Sequence, residues 1–278
     1  MSETTKVLDA KAAGARRFVG KVAVVSGGGQ GIGSATARRL AQEGATVVVA
    51  DIVESSAQRV CDQLRAFGAT ASTFVGDLSK RESAVALMAQ TRQTYGRIDA
   101  LANIVGGTIW SQPYHKYTPE QIEIEVNKSF WPPMWGCWAV IPIMIEQRAG
   151  AIVNLGSHSV ISVDRVPYAA SKGGAIALTT SLSKEVAQYG IRVNCVAPHW
   201  TAADDRVTPR NPDRVNRSRE EAAAHEAVLM ERRMREIPLG RSAQAEEQAA
   251  AIVFLLSEDA SYITGQVLPC GGGATFPF

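Results

Sequence analysis

The sequence predicts an α/β fold, a single domain built around a parallel sheet, and three observations lead there. Short β-branched runs alternate with longer amphipathic stretches along most of the 278 residues. Several runs are apolar without interruption, the pattern of strands covered on both faces. No internal repeat and no linker divides the chain. Hydrophobic residues make up 46% and charged residues 20%, which excludes global disorder. With 29 Lys+Arg against 27 Asp+Glu and no basic cluster, nothing electrostatic favours a nucleic-acid partner.

Residues 1–20 lack the apolar core of a signal peptide and read as a polar extension, with the fold expected to start near Lys21. Strand-like runs follow at 22–26, 46–50, 71–75, 98–103, 151–155, 191–196 and 266–268. Amphipathic helical stretches at 32–43, 55–67 and 80–95 separate the first of these. Such alternation implies right-handed crossovers between parallel strands. The stretch 129–145 carries no charge but holds Pro132, Pro133 and Pro142. It is too short to cross a bilayer, so a buried or interface helix is expected. Residues 204–236 contain eight acidic and eight basic side chains, with Pro209, Asn211 and Pro212 near the start. That segment reads either as a solvated mixed-charge helix or as a flap over a site, spanning 201–240. Cys61, Cys137, Cys195 and Cys270 are scattered without metal-ligand spacing, as reduced thiols of a soluble cytoplasmic protein would be.

The first functional signal is Ser26-Gly-Gly-Gly-Gln-Gly-Ile-Gly33, which follows the first strand and opens a helix. Glycines here let backbone approach a pyrophosphate, and the helix N-terminus offers free N–H groups and positive dipole. Gly27, Gln30, Gly31, Ile32 and Gly33 are therefore the cofactor-loop residues. Asp51 ends the second strand, where a carboxylate accepts both ribose hydroxyls of NAD and repels the 2′-phosphate of NADP. No Arg or Lys replaces or directly follows it, so NAD is the expected cofactor. Asp77, followed by Leu78, ends the third strand and either meets the adenine or caps the next helix. Asn103 ends the fourth strand, suited to tie neighbouring strands and leave the backbone of Gly106 against the ribose.

The second signal is Tyr168-Ala-Ala-Ser-Lys172. Residues four apart share one face of a helix, so phenol and ammonium project into the same space. A nearby ammonium favours phenolate, which moves a weak base toward usefulness at neutral pH. Ser157 ends the fifth strand and is the candidate to hold the substrate oxygen, with Ser159 as the alternative. His158 lies beside it, but no GxSxG elbow exists for a hydrolase. Asn127 falls inside a helical stretch, where it either distorts the helix around a water or is an ordinary surface residue.

These motifs, together with Ile-Arg-Val-Asn-Cys-Val-Ala-Pro at 191–198, resemble the short-chain dehydrogenase/reductase family over residues 20–273. The resemblance implies a Rossmann-type, doubly wound, seven-stranded parallel sheet with helices on both faces, assembled as a homotetramer. It implies a catalytic set of Asn127, Ser157, Tyr168 and Lys172. Departures from the family pattern are Ala102-Asn-Ile-Val-Gly106 for Asn-Asn-Ala-Gly, Pro198-His199 for Pro-Gly, and a shortened serine-to-tyrosine loop. Thr201 is then the expected partner of the nicotinamide carboxamide. Val105–Trp110, Pro113-Tyr114, the run ending at Val126, Arg165-Val-Pro-Tyr168, Pro209-Arg-Asn211 and Ala260–Gly265 are similar to bacterial cis-dihydrodiol carboxylate dehydrogenases. That subgroup, by resemblance, oxidises a cyclohexadiene cis-diol during breakdown of benzoate, toluate or p-cumate.

An anionic ring substrate calls for a guanidinium. Arg165 is the first candidate, against a surface ion pair with Asp164, and Arg210 the second. Trp110 and Trp200 are candidate apolar walls or plain core residues. The rival readings are a dehydrogenase for another secondary alcohol (sugar acid, steroid or 3-oxoacyl thioester) and a non-catalytic nucleotide-binding protein on the same fold.

Overall fold

The computed structural model describes residues 16–202 and 236–276. Strand β1 (Val22–Ser26) leads into helix α1 (Gly31–Gln42), then β2 (Thr46–Asp51), α2 (Glu54–Ala66), β3 (Ala71–Val75), α3 (Arg81–Tyr95) and β4 (Ala100–Asn103). The second half runs α4 (Pro119–Ser129), α5 (Trp131–Gln147), β5 (Gly150–Leu155), α6 (Val166–Val186) and β6 (Ile191–Pro198). Two short strands, β7 (Thr201–Ala202) and β8 (Ala243–Gln244), pair with each other. Helix α7 (Ala245–Leu256) and β9 (Val267–Cys270) close the described chain.

Seven parallel strands form one sheet in the order β3-β2-β1-β4-β5-β6-β9. Alternation along each strand sends side chains to opposite faces. Val25, Val47, Val49 and Ala102 pack under α1, α2 and α7, while Val24, Val48, Leu101 and Val193 pack under α3, α5 and α6. This double covering explains why the central strands read as continuous apolar runs. The chain leaves β1 toward one edge and returns at β4 toward the other, so a crevice opens beyond the carboxyl ends of β1 and β4. Ligands of open α/β sheets bind at such a reversal.

The fold begins earlier than Lys21. Phe18 is 3% exposed within the core beneath α1, and Arg17 pairs with the fully buried Glu43 and with Asp259. A single aromatic side chain inside a polar tract carries too little periodicity to mark a core. The fourth strand starts two residues after the expected 98, and the seventh runs to Cys270. The expected helix over 129–145 is α5, preceded by a break at Phe130, with Pro132 and Pro133 in its first turn. Trp131, Trp135 and Trp138 form an aromatic ladder along it, and Trp138 is 56% exposed. No helix among the described residues is long and apolar enough to cross a membrane. Residues 1–15 of the expected extension, 203–235 of the expected flap, and Arg210 with it, lie outside the described residues.

Candidate active site

The glycine loop turns directly from β1 into α1. A Cβ on Gly33 would collide with the carbonyl oxygen of Gly27, so the first helical turn packs backbone on backbone. Across the loop, the Asp51 carboxylate accepts the Gly29 N–H at 2.9 Å and the Val53 N–H at 3.1 Å. Arg59, on α2, donates to the Gly29 carbonyl at 2.8 Å. The loop is thereby held from the side of β2 and α2 while Gln30 sits at the N-cap and Gly31 and Ile32 open the helix. The cradle fits a pyrophosphate: no side chain obstructs it, and helical N–H groups face it. Asp77 accepts the Ser79 N–H at 3.0 Å in the turn before α3, whose N-cap is Lys80, so Asp77 does not cap that helix. Leu78 is 6% exposed and its side chain belongs to the core under α3.

Asn103 is buried at the carboxyl end of β4. Its amide donates to Asn154 on β5 at 2.9 Å, and its oxygen accepts from the Ser26 hydroxyl of β1 at 3.4 Å. Asn154 in turn donates to Thr179 on α6 at 3.0 Å. One amide chain thus fastens three strand ends and the helix that carries Tyr168.

Tyr168 lies in the first turn of α6 and Lys172 one turn later, with the Lys172 Nζ 6.0 Å from the phenol ring centre. Lys172 is 1% exposed. An ammonium so buried is costly unless bonded, and its Nζ donates to the Leu155 carbonyl at 2.7 Å. A Cβ on Gly106 would stand 3.1 Å from that Nζ, so glycine is the residue that lets the β4 loop pass over the lysine. Ser157 follows β5 and is 7% exposed, and its hydroxyl accepts the Ser159 N–H at 3.0 Å. Between the two expected serines, Ser157 holds the hydroxyl at the strand end while Ser159 contributes backbone.

The Asn127 side chain does not face inward from α4. It is exposed on α4, whereas Ser129, two residues on, is 0% exposed. The Ser129 hydroxyl accepts the Gly107 N–H at 3.4 Å, and it would lie 3.5 Å from a Cβ on Gly106, the same point that faces Lys172. Two residues apart on a helix means nearly opposite faces, so only one of the pair can point inward, and it is the serine.

His158 is buried with its ring edge-on to His199 at 5.1 Å and against Phe276 at 4.8 Å. Burial, with His199 beside it, pushes its pKa down to about 4, so the ring is neutral at physiological pH. Cys137 and Cys195 are free thiols pushed up to about 12 by burial, too high for nucleophilic use near neutrality.

On the substrate side, Arg165 is half-buried at the N-cap of α6 and makes no ion pair among the described residues, with Asp164 or any other acid. Trp110 is half-buried in the loop after β4. Thr201 donates to the His199 carbonyl at 3.3 Å. Trp200 lines a cavity of about 160 Å³ with His199, Ile237, Leu239, Arg241 and Gln248, whose described walls include neither Tyr168 nor Trp110. Three contributors escaped sequence reading: Arg59, Ser129 and the buried Glu125. For the last two, their four-residue spacing on one helix is the available signal.

The family model for the short chain dehydrogenase matches residues 21–213. A 1,6-dihydroxycyclohexa-2,4-diene-1-carboxylate dehydrogenase of Acinetobacter baylyi is 43% identical, over 93% of this chain and 97% of its own. A 2,3-dihydroxy-2,3-dihydro-p-cumate dehydrogenase of Pseudomonas putida is 33% identical, over 92% of this chain and 95% of its own. The crystal structure of levodione reductase superposes with a TM-score of 0.80 at 31% identity, covering 92% of this chain and 98% of the other. With the sheet order, the glycine loop and the Tyr168–Lys172 turn already in place, this protein belongs to the short-chain dehydrogenase family of oxidoreductases.

Proposed function

We propose that the protein oxidises one hydroxyl of a cis-dihydroxycyclohexadiene carboxylate, of benzoate or p-cumate type, with NAD, as a cytoplasmic homotetramer. The observation that carries the reading is the buried Lys172, one helical turn from Tyr168 and bonded to the Leu155 carbonyl at the end of β5, two residues before Ser157. The likeness to two dihydrodiol dehydrogenases supports the substrate class. The guanidinium of Arg165, three residues before Tyr168 and in no ion pair among the described residues, supports a carboxylate on the substrate.

In this mechanism the Ser157 hydroxyl holds the substrate oxygen, and the Tyr168 phenolate takes the hydroxyl proton. The Lys172 ammonium favours that phenolate. Bound NAD supplies the hydride acceptor for the carbinol C–H. Asn103 and Asn154 keep the ends of β4 and β5 at fixed spacing, and Ser129 is the buried polar side chain of α4 beside Gly106. With NAD bound, the Gly106 backbone would face the ribose and Thr201 would meet the carboxamide. The ketone formed enolises to a catechol or, when β to the carboxylate, loses CO2. Aromatisation draws the reaction forward in both cases.

Asp51 supports NAD over NADP, since its carboxylate repels a 2′-phosphate and Ile52 and Val53 follow it instead of a base. The charge-free stretch 131–145 of α5, with Trp138 exposed, supports contact with a second copy of the chain.

The test is initial-rate kinetics of the wild type and Arg165→Met with NAD+ or NADP+, using carboxylated and uncharged cis-diols of the same ring. A charge-assisted bond is worth about 1.5–3 kcal/mol, so Arg165→Met is expected to raise KM for the carboxylated diol about ten-fold or more. The uncharged diol is expected to be unaffected. Turnover of steroids, sugar acids or 3-oxoacyl thioesters without diol activity overturns the substrate class. Bound NADH with no turnover of any alcohol overturns catalysis itself.

A further inference from the structure

Glu125 is 0% exposed on α4 and has no ion pair among the described residues. One carboxylate oxygen accepts the backbone N–H groups of Ile109, at 2.6 Å, and Trp110, at 3.1 Å. The other oxygen is buried without a hydrogen-bond partner. Burial raises its pKa against the pull of those two N–H groups and of the Lys128 and Arg165 charges. Just before the same helix, Tyr117 is 8% exposed, and its hydroxyl lies 3.0 Å from the Trp110 carbonyl and 3.2 Å from the Asp164 carbonyl. The Asp164 carbonyl also accepts the Gln112 N–H at 2.8 Å, and Asp164 itself adopts φ +62°. A left-handed aspartate is strained backbone that neighbouring contacts must hold.

These bonds join the loop after β4 to the loop after β5. The first carries Gly106 and Trp110, and the second runs from Ser157 to Arg165 at the foot of the Tyr168 helix. We propose that Glu125 and Tyr117 are positioning residues that clamp these two loops from behind, so that the placement of Trp110 and Arg165, and hence the width of the substrate site, is set by α4. This rests on the reading of those loops as the walls of the diol site. Glu125 acts on Ile109 and Trp110 through their backbone, and Tyr117 couples that loop to Asp164, the residue before Arg165. Neither side chain need touch substrate.

The test uses the full chain with Glu125→Leu, Glu125→Gln and Tyr117→Phe. It measures kcat and KM for the carboxylated diol, the NADH dissociation constant by fluorescence, and amide hydrogen exchange at Ile109 and Trp110. Leucine leaves two N–H groups without an acceptor, so the loop is expected to open, raising diol KM about ten-fold and amide exchange about ten-fold. NADH binding is expected to stay within about two-fold, because Asp51 and Arg59, not Glu125, hold the glycine loop. Glutamine keeps an acceptor oxygen and is expected to restore KM to within about three-fold of wild type. Tyr117→Phe keeps the ring packing and is expected to raise KM about three-fold, which also carries the test should the leucine variant not fold. Diol KM unchanged in Glu125→Leu, or KM rising and NADH affinity falling by the same factor, overturns the inference. A wild type inactive on the diol removes the substrate reading instead. Exchange at Ile109 and Trp110 then decides alone, and unchanged exchange in Glu125→Leu overturns the clamp.

Discussion

The two halves of the sheet prepare their ends for ligand in opposite ways. Beyond β1 and β2 the surface is bare backbone. Glycines leave it open, and the nearby side chains, Asp51 and Arg59, hold the loop by its own N–H and carbonyl groups. Beyond β4 and β5 the surface is made of side chains, Ser157 and Arg165 flanking a loop and Tyr168 in the first turn of α6, and the loops there are held by contacts from elsewhere. A nucleotide is common to many reactions and is met by a rigid backbone cradle. A particular alcohol is met by side chains on adjustable loops. Damage to the first half is therefore expected to change which cofactor binds, and damage to the second to change what is done with it.

The largest effect expected is from Tyr168→Phe. Loss of the proton acceptor is expected to lower kcat by about 10³-fold or more while NADH binding stays within about two-fold. Stopped-flow hydride transfer and NADH fluorescence separate the two readouts. Activity within a few-fold of wild type breaks the division between the halves. Asp51→Ala is the mirror experiment and a smaller effect. Removing the carboxylate that repels a 2′-phosphate is expected to shift the ratio of kcat/KM for NAD+ over NADP+ by about 10–100-fold toward NADP+. The kcat with saturating NAD+ is expected to change little. A parent enzyme that already prefers NADP+ removes this role for Asp51.

The difference between the halves also explains what the sequence discloses. The glycine loop, Asp51 and the Tyr168–Lys172 turn are local: each needs a strand end or a single helical turn, and each spacing is visible in consecutive residues. Asn103 belongs with them, because a strand-terminal amide meets its neighbours wherever the strands are in register. The inward face of α4 is different. Ile122, Ile124 and Val126 alternate, which blurs the helical period, and the side that packs inward carries Glu125 and Ser129. A buried stripe made of polar residues has no hydrophobic signature. Its partners, Ile109, Trp110 and Gly107, lie on another loop and supply backbone groups that any residue type would supply. Phe18 escaped for a related reason, since its core is assembled from α1 and α7, far along the chain. Trp200, read as a substrate wall or a core residue, lines a cavity shared with the region around β8.

The smallest effect expected, and the sharpest probe of the boundary between the halves, compares Ser129→Ala with Asn127→Ala. Ser129 sits where the β4 loop passes over Lys172, and its hydroxyl accepts the Gly107 N–H. On the proposed reading the loop at this point serves both halves, with Gly106 toward the ribose and Trp110 toward the substrate. Removing the hydroxyl leaves a buried N–H without its acceptor, a loss of about 1–3 kcal/mol if the loop does not move. The loop relieves that loss by shifting away from Lys172. Ser129→Ala is therefore expected to lower kcat about five- to ten-fold and to move the alkaline or acid limb of the kcat–pH profile, because the surroundings of the Lys172 ammonium change. Asn127 is exposed on the opposite face of α4, so Asn127→Ala is expected to stay within about two-fold of wild type with an unmoved profile. The pH profile makes the comparison informative: a loop that merely loosens lowers kcat at every pH alike, whereas an altered lysine environment displaces the limb. If Asn127→Ala proves the more damaging, the inward face of α4 has been assigned to the wrong residue.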